Sequence, residues 1–290
     1  MTQNAVTTAL AQPGAADLLL PPPAASREGV WGATAHPILL RMGHGVHRGW
    51  TALCVCLLTL ATPALAGDRA GIDFLGYSDD FRYFAFEEFG IQDGSGFAYA
   101  NVHLLDLGSD SWVKGAPIRV RVDDESVTLP QVRADARAQA RPLPEQYAIS
   151  GPVDILALHG DGAVDVDFSQ LTAGWPGYGM SEPGQAFQLT LESFPAPGDS
   201  ACADYTDEPV AGFALRYSRD GASAELHRDA SVPKSRGCAL AYRLYGVVAP
   251  FDSFAAFNTD PTTGLVAIVS VYSLGFEGPD RRFIAVPLAH

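Results

Sequence analysis

The sequence predicts a mainly β protein with antiparallel meander sheets, arranged as a sandwich or in an irregular propeller-like way, and one short helix. Between residues 71 and 122, short runs of aromatic and β-branched residues alternate with clusters of Gly, Asp and Ser, as in strands joined by turns. The chain has 29 Gly and 21 Pro residues, enough for many turns. Only residues 128–141 have a helical composition.

The strand predicted at Arg82–Phe89 has large apolar side chains on both of its faces. Such a strand is expected at the centre of a sheet, covered on each side. Successive side chains of a strand point in opposite directions, so the adjacent Glu87 and Glu88 are expected on opposite faces.

The predicted helix runs from Thr128 to Ala140, with Pro130 in its first turn and Pro142 closing it. Arg residues recur at every fourth position along it, which is most simply a solvated face.

Strand-like runs return after Tyr147 and continue to Val286, including a hairpin expected within residues 213–226. We expect about twelve strands in all, and therefore a mainly β domain.

Composition excludes several classes of protein. With 47% hydrophobic and 18% charged residues, the chain is neither disordered nor fibrous. Its net charge of -14 argues against a nucleic-acid partner, because the protein would repel the phosphates.

A secretory signal peptide is predicted at residues 42–66. A basic segment precedes an apolar core of about a dozen residues, and a Pro and an Ala-x-Ala site follow, so cleavage is expected after Ala66. Residues 1–41 are then either an upstream extension from a start codon placed too early, with Met42 as the true start, or a disordered extension. The single mature domain, residues 67–290, is expected in the periplasm or outside the cell, with no membrane span after cleavage.

Two cysteines remain after the predicted cleavage, Cys202 and Cys238. An even pair in an oxidising compartment predicts a disulfide, with two free thiols as the alternative. Neither has a second Cys or a His at ligand spacing, so no metal site is predicted from them.

The best candidates for acid–base chemistry are Glu87, Glu88 and Asp93, with His103 near them in sequence. Because Glu87 and Glu88 face opposite ways, at most one of them can belong to a shared site. The alternative is that these carboxylates bind neighbouring backbone groups or pair with an Arg.

Candidate binding residues fall into two groups. An exposed aromatic patch is expected at Tyr77, Tyr99, Trp175 and Tyr178. Arg281 and Arg282 end a turn near the C-terminus. They either recognise an anionic group bidentately or tie this turn to the body of the protein through internal ion pairs.

Other motifs are weak or missing. Asp161, Asp165 and Asp167 lack the spacing of a calcium loop, so a solvated strand face is the better interpretation and no metal or cofactor is predicted. No nucleophile elbow, zinc-protease motif or phosphate-binding loop is found, which lowers the expectation of catalysis.

Two resemblances bear on the fold. The segment Phe74–Val113 resembles one blade of a TolB-type β-propeller. The segments 84–88, 92–96 and 275–283 together resemble a bacterial family of predicted secreted proteins, domain of unknown function 2259. That resemblance extends from Gly71 to Pro287 and implies export across the inner membrane, with no known chemistry and no catalytic residue to carry over.

The function expected from the sequence is that of an exported, non-catalytic binding or interaction module, whose partner is a periplasmic protein or a small ligand. The alternative is a cell-envelope hydrolase that uses acidic residues of segment 87–93. A hydrolase should place a buried carboxylate with a raised pKa in a cleft, whereas a binding module should expose an aromatic patch.

Overall fold

The computed structural model describes residues 67–159, 166–175, 185–251 and 262–289. All of these belong to one compact unit of the chain. The predicted signal peptide, the extension before it, Asp161, Asp165 and Tyr178 lie outside the described residues.

The mainly β prediction is confirmed: the described residues form fourteen strands in three sheets, and the paired strands are all antiparallel. Sheet 1 has the order β4-β3-β2-β1-β6, and β5 also pairs with β3. Sheet 2 has the order β14-β13-β12-β7, and sheet 3 the order β11-β10-β9-β8.

The strands of sheet 1 are β1 (Gly71–Ser78), β2 (Tyr83–Ile91), β3 (Ala98–Asp106), β4 (Ser111–Trp112), β5 (Ile118–Arg121) and β6 (Ile149–Gly151). Those of sheet 2 are β7 (Val153–Leu158), β12 (Ala239–Pro250), β13 (Val266–Ser273) and β14 (Asp280–Pro287). Those of sheet 3 are β8 (Gln170–Ala173), β9 (Phe187–Pro195), β10 (Ala211–Arg219) and β11 (Ala222–Arg228).

Sheet 2 lies between the other two sheets. Along β13, Val266 and Ile268 pack in the same cluster as Phe84 and Phe86 of sheet 1. The alternate residues of β13, including Val269, pack in a second cluster with the apolar face of sheet 3. Both faces of β13 are therefore buried, which explains its continuous apolar sequence.

A helix covers the face of sheet 1 that points away from sheet 2. Helix α1 (Leu129–Ala140) begins after Thr128, whose backbone N–H donates to the Gln131 side chain at 2.9 Å, and has Pro130 in its first turn, as predicted. Its buried residues pack against Ala100 and Val102 of β3.

Helix α1 ends at Ala140, as predicted, but a further helical turn follows it. Pro142 does not close the segment but opens a second short helix, α2 (Pro142–Gln146). Proline suits this first-turn position because its missing N–H would have no partner there and its fixed φ is already helical.

The predicted disulfide joins Cys202 to Cys238. Cys202 lies in a short 3-10 helix, Ser200–Asp204, and Cys238 directly precedes β12. The bond closes a loop that contains the β10–β11 hairpin, and it links the β9–β10 connection of sheet 3 to the start of β12 in sheet 2.

We expect that removing this disulfide lowers the free energy of unfolding by about 3.8 kcal/mol, because the sequence separation of 36 residues closes a long loop in the unfolded chain. Urea unfolding of a Cys202→Ala/Cys238→Ala variant measures the change. Reduced wild-type protein is the control, because it keeps both sulfur atoms in the core. A loss under about 1 kcal/mol in both would contradict the expectation.

Candidate functional site

A cleft of about 770 Å³ lies between sheet 1 and the edge of sheet 2. Sheet 1 supplies one wall and β13 and β14 the other, while the end of β11 and the short 3-10 helix Lys234–Arg236 close one side. The residues from sheet 1 include Glu88, Asn101, His103, Leu105, Trp112 and Arg119.

Strand register explains why these side chains share a wall. In sheet 1, Asn101 pairs with Glu88 on one side and with Arg119 on the other. Leu105 pairs with Trp112 in the same way. Side chains of directly paired residues point to the same face of a sheet, and so do every second residues along a strand. All of these residues therefore face away from helix α1.

His103 is the most unusual residue of the cleft. Its side chain is buried, with the residue only 8% exposed, and its ring stacks on Phe86 with 4.6 Å between centroids. Neither ring nitrogen has a hydrogen-bond partner among the described residues. Burial, with a smaller effect of the nearby Arg119 charge, lowers the pKa of His103 to about 3. The imidazole is therefore neutral at physiological pH.

Among the described residues, four Arg or Lys side chains line the cleft, and three of them already have an acidic partner. Arg282 contacts Asp68 at 2.7 Å, Arg236 contacts Asp229 at 2.6 Å, and Lys234 contacts Asp199 at 3.3 Å.

The fourth basic side chain, Arg119, is exposed and makes no hydrogen bond or ion pair with any residue in the described ranges. Its guanidinium keeps all of its N–H donors available to a ligand.

Glu88 is the buried carboxylate of the cleft. It accepts hydrogen bonds from the Phe283 backbone N–H at 2.8 Å and from the Asn101 side chain at 3.0 Å. Burial raises the pKa of Glu88, and these hydrogen bonds and Arg282 only partly oppose that effect.

A second polar group lies on the opposite side of the cleft and was missed by the sequence analysis. His227 lines the cleft and contacts Asp229 at 3.0 Å, while Asp229 also accepts from the Phe213 backbone N–H and from Arg236. Burial raises the pKa of Asp229, but these hydrogen bonds outweigh burial and hold that pKa below its usual value. The His-x-Asp spacing at the end of β11 was the available signal.

The prediction that Glu87 and Glu88 face opposite ways is confirmed. Glu87 is fully buried under helix α1, where it binds Arg133 at 2.8 Å and also binds Arg137. Asp73 contacts the same two arginines. The interpretation of the helix Arg row as a solvated face is therefore wrong for Arg133 and Arg137, because both side chains turn toward sheet 1.

Asp93 is separate from both carboxylates and does not line the cleft. It lies in the turn after β2 and accepts a hydrogen bond from the Glu277 backbone N–H at 3.2 Å. The acidic residues of segment 87–93 thus occupy three different places, and the structure does not bring them together in one site.

The aromatic patch expected at the surface is not formed by Tyr77, Tyr99 and Trp175, which are 0%, 6% and 5% exposed. Tyr77 packs on Phe84 inside the interface between sheets 1 and 2, because its position on β1 faces sheet 2. Tyr178 lies outside the described residues. The aromatic side chain that the cleft does expose is Trp112, at 40%.

Arg281 and Arg282 tie the turn before β14 to the body of the protein. Arg281 is buried and donates to the Ala70 carbonyl at 2.7 Å. Arg282 binds Asp68, which also accepts from the Tyr99 hydroxyl at 3.0 Å. These contacts agree with the interpretation of internal ion pairs and leave neither arginine free for a ligand.

Residues 85–289 match a family model described as Predicted secreted protein (DUF2259). The chain belongs to this family. Two of the three segments that carried the resemblance meet in space, since Asp93 in the 92–96 turn contacts Glu277 in the 275–283 segment. The resemblance of Phe74–Val113 to a TolB-type blade is not confirmed. No curated protein and no solved structure gives a match.

Neither a metal-binding cluster nor a membrane-spanning helix is found in the described ranges. Among those residues, no group of three or more His, Cys, Asp or Glu side chains is arranged to hold a metal ion. No helix there has both the length and the hydropathy needed to span a bilayer.

Replacing Glu87 with Gln should lower the free energy of unfolding by about 2 to 3 kcal/mol, because two arginines lose a fully buried partner while staying partly solvated. Urea unfolding measures the change. Glu145→Gln is the matched control, since its pair with Arg141 is exposed on both sides and should be worth under about 0.5 kcal/mol. Equal losses in the two variants would contradict the assignment.

Replacing Glu88 with Gln should change the pH dependence of stability. The pKa of Glu88 in the folded protein is raised above the unfolded value near 4.5. At pH values between these two pKa values, the folded state therefore binds more protons than the unfolded state. Wild-type stability therefore loses this contribution as pH rises from 4.5 through the folded pKa, and the neutral Gln does not.

The measurement is urea unfolding of both proteins at several pH values across this window. The stability of the Gln variant relative to wild type should increase with pH. Glu277→Gln is the control, because Glu277 is exposed. A difference for Glu88→Gln that stays constant or decreases with pH would show that the carboxylate is not held in this way.

Proposed function

We propose that this exported protein is a non-catalytic binding module whose ligand occupies the cleft between sheets 1 and 2. The observation that carries the proposal is His103, a buried imidazole whose two nitrogens both lack a partner among the described residues. A buried polar group without a partner costs about 1 to 3 kcal/mol, so a ligand that supplies the partner regains that free energy.

The rest of the cleft supports the same proposal. Trp112 is part exposed beside His103, with 5.1 Å between ring centroids, and offers an apolar surface next to polar groups. A cleft of about 770 Å³ is within the usual size of small-molecule sites. We therefore favour a small ligand over a periplasmic protein as the partner.

The family description supports export. Within the proposal, the signal peptide at residues 42–66 is cleaved after Ala66, and the mature protein resides in the periplasm or outside the cell.

Catalysis by a hydrolase remains the second candidate, and Glu88 is the observation that favours it. Glu88 is buried in the cleft with a raised pKa, as expected of a general acid. The Glu88 oxygens, however, already accept hydrogen bonds from the Phe283 backbone and the Asn101 side chain. Glu87 and Asp93 lie outside the cleft and cannot serve as a second carboxylate there.

Thermal unfolding of the exported protein against a library of small polar metabolites tests the proposal. At least one compound should raise the Tm of wild type, and Trp112→Ala should abolish that rise. Tyr205→Ala is the control, because Tyr205 is 74% exposed and lies outside the cleft, and it should respond as wild type does.

Two outcomes would overturn the proposal. One is the absence of any stabilising compound, or stabilisation that Trp112→Ala leaves intact. The other is turnover of a library ester or glycoside that Glu88→Gln abolishes, which would establish the hydrolase instead.

A further inference from the structure

We infer that the cleft ligand is an organic anion, whose carboxylate or phosphate binds Arg119 and His103 while a flat apolar part lies on Trp112. This inference rests on the binding function proposed above and names the chemical class of the ligand.

The three side chains are brought together by the register of sheet 1. Arg119 pairs directly with Asn101, two positions before His103 on β3. Trp112 pairs with Leu105, two positions after His103. His103 is thus the diagonal neighbour of both, at a spacing that aromatic and long side chains can bridge.

The two polar groups offer donors that the described part of the protein leaves unused. The Arg119 guanidinium carries five N–H donors and no acceptor, and a neutral His103 carries one N–H donor. A carboxylate or phosphate oxygen accepts from both at once, and a guanidinium binds such planar groups through two parallel hydrogen bonds. A neutral ligand would leave the Arg119 charge unmatched.

The two partly buried arginines of the cleft are not available to the ligand. Arg236 and Arg282 are held by Asp229 and Asp68. Because the whole chain carries a net charge of -14, an anion is repelled at long range and depends on this local cation. Removing the charge of Arg119 should therefore weaken the binding of the anion strongly.

Trp112 supplies the apolar surface. Its ring is tilted against His103 and against Phe86, whose centroid lies 6.4 Å away. This contact orients the indole beside the polar pair, while 40% of the residue remains exposed. An apolar ring joined to the oxyanion would cover that surface.

Calorimetric titration of the full chain tests the inference with four probes: benzoate, phenyl phosphate, benzamide and inorganic phosphate. Benzamide matches benzoate in shape but lacks its charge, and inorganic phosphate lacks the flat part. Benzoate or phenyl phosphate should bind about tenfold more tightly than both of the other probes. The better of the two distinguishes a carboxylate ligand from a phosphate ligand.

Variants of β5 provide the matched comparison. Arg119→Gln should weaken binding of the anionic ring compound about tenfold, and Arg119→Lys less so. Arg121→Gln is the control, because Arg121 lies on the same strand and face but pairs with Asp123 outside the cleft, and its effect should stay under about twofold. Arg119 has no partner to lose in the described ranges, so its variant should keep the wild-type Tm.

Three results would overturn the inference. If benzamide binds as tightly as benzoate and Trp112→Ala weakens both, the cleft remains a binding site but its ligand is not required to be an anion. Equal losses in Arg119→Gln and Arg121→Gln would show only a general charge effect. If none of the four probes binds, while a neutral library compound stabilises wild type but not Trp112→Ala, the proposed binding function is supported and the anionic ligand is excluded.

Discussion

The architecture depends on the burial of sheet 2 on both faces. Residues of β13 alternate between two apolar clusters, one shared with sheet 1 and one with sheet 3. A strand of this kind cannot be exposed on either side without a large loss of hydrophobic free energy, so it requires a sheet on each face. Sheet 1 extends beyond this packed region toward β4 and β5, and the cleft lies where its face is no longer covered.

Two adjacent carboxylates join sheet 1 to different layers. Glu87 binds the arginines of α1, and Glu88 binds β14 through the Phe283 backbone N–H. Each is buried with hydrogen-bond partners, which is the condition for a buried charge to be tolerated. His103, one strand away, has no such partner among the described residues, and the proposed binding role of His103 rests on this contrast.

The sequence could predict what depends on local pattern. Strand alternation placed Glu87 and Glu88 on opposite faces, and the even cysteine pair indicated the disulfide. Burial of Tyr77 could not be predicted, because its exposure is decided by which sheet covers β1. His103 was named beside the acidic candidates, but its association with Arg119 could not be predicted, because it depends on pairing between β3 and β5, which no local motif encodes.

The alternation of β2 also limits how its length can vary. Inserting one residue between Tyr83 and Phe84 would turn Glu88 toward α1 and Glu87 toward sheet 2, since each shift of one exchanges the two faces. Phe84 and Phe86 would move to the helix side at the same time, and the interface with sheet 2 would lose both rings. An insertion of two residues at the same point preserves both faces, so without a compensating bulge β2 accommodates changes of length there only in even steps.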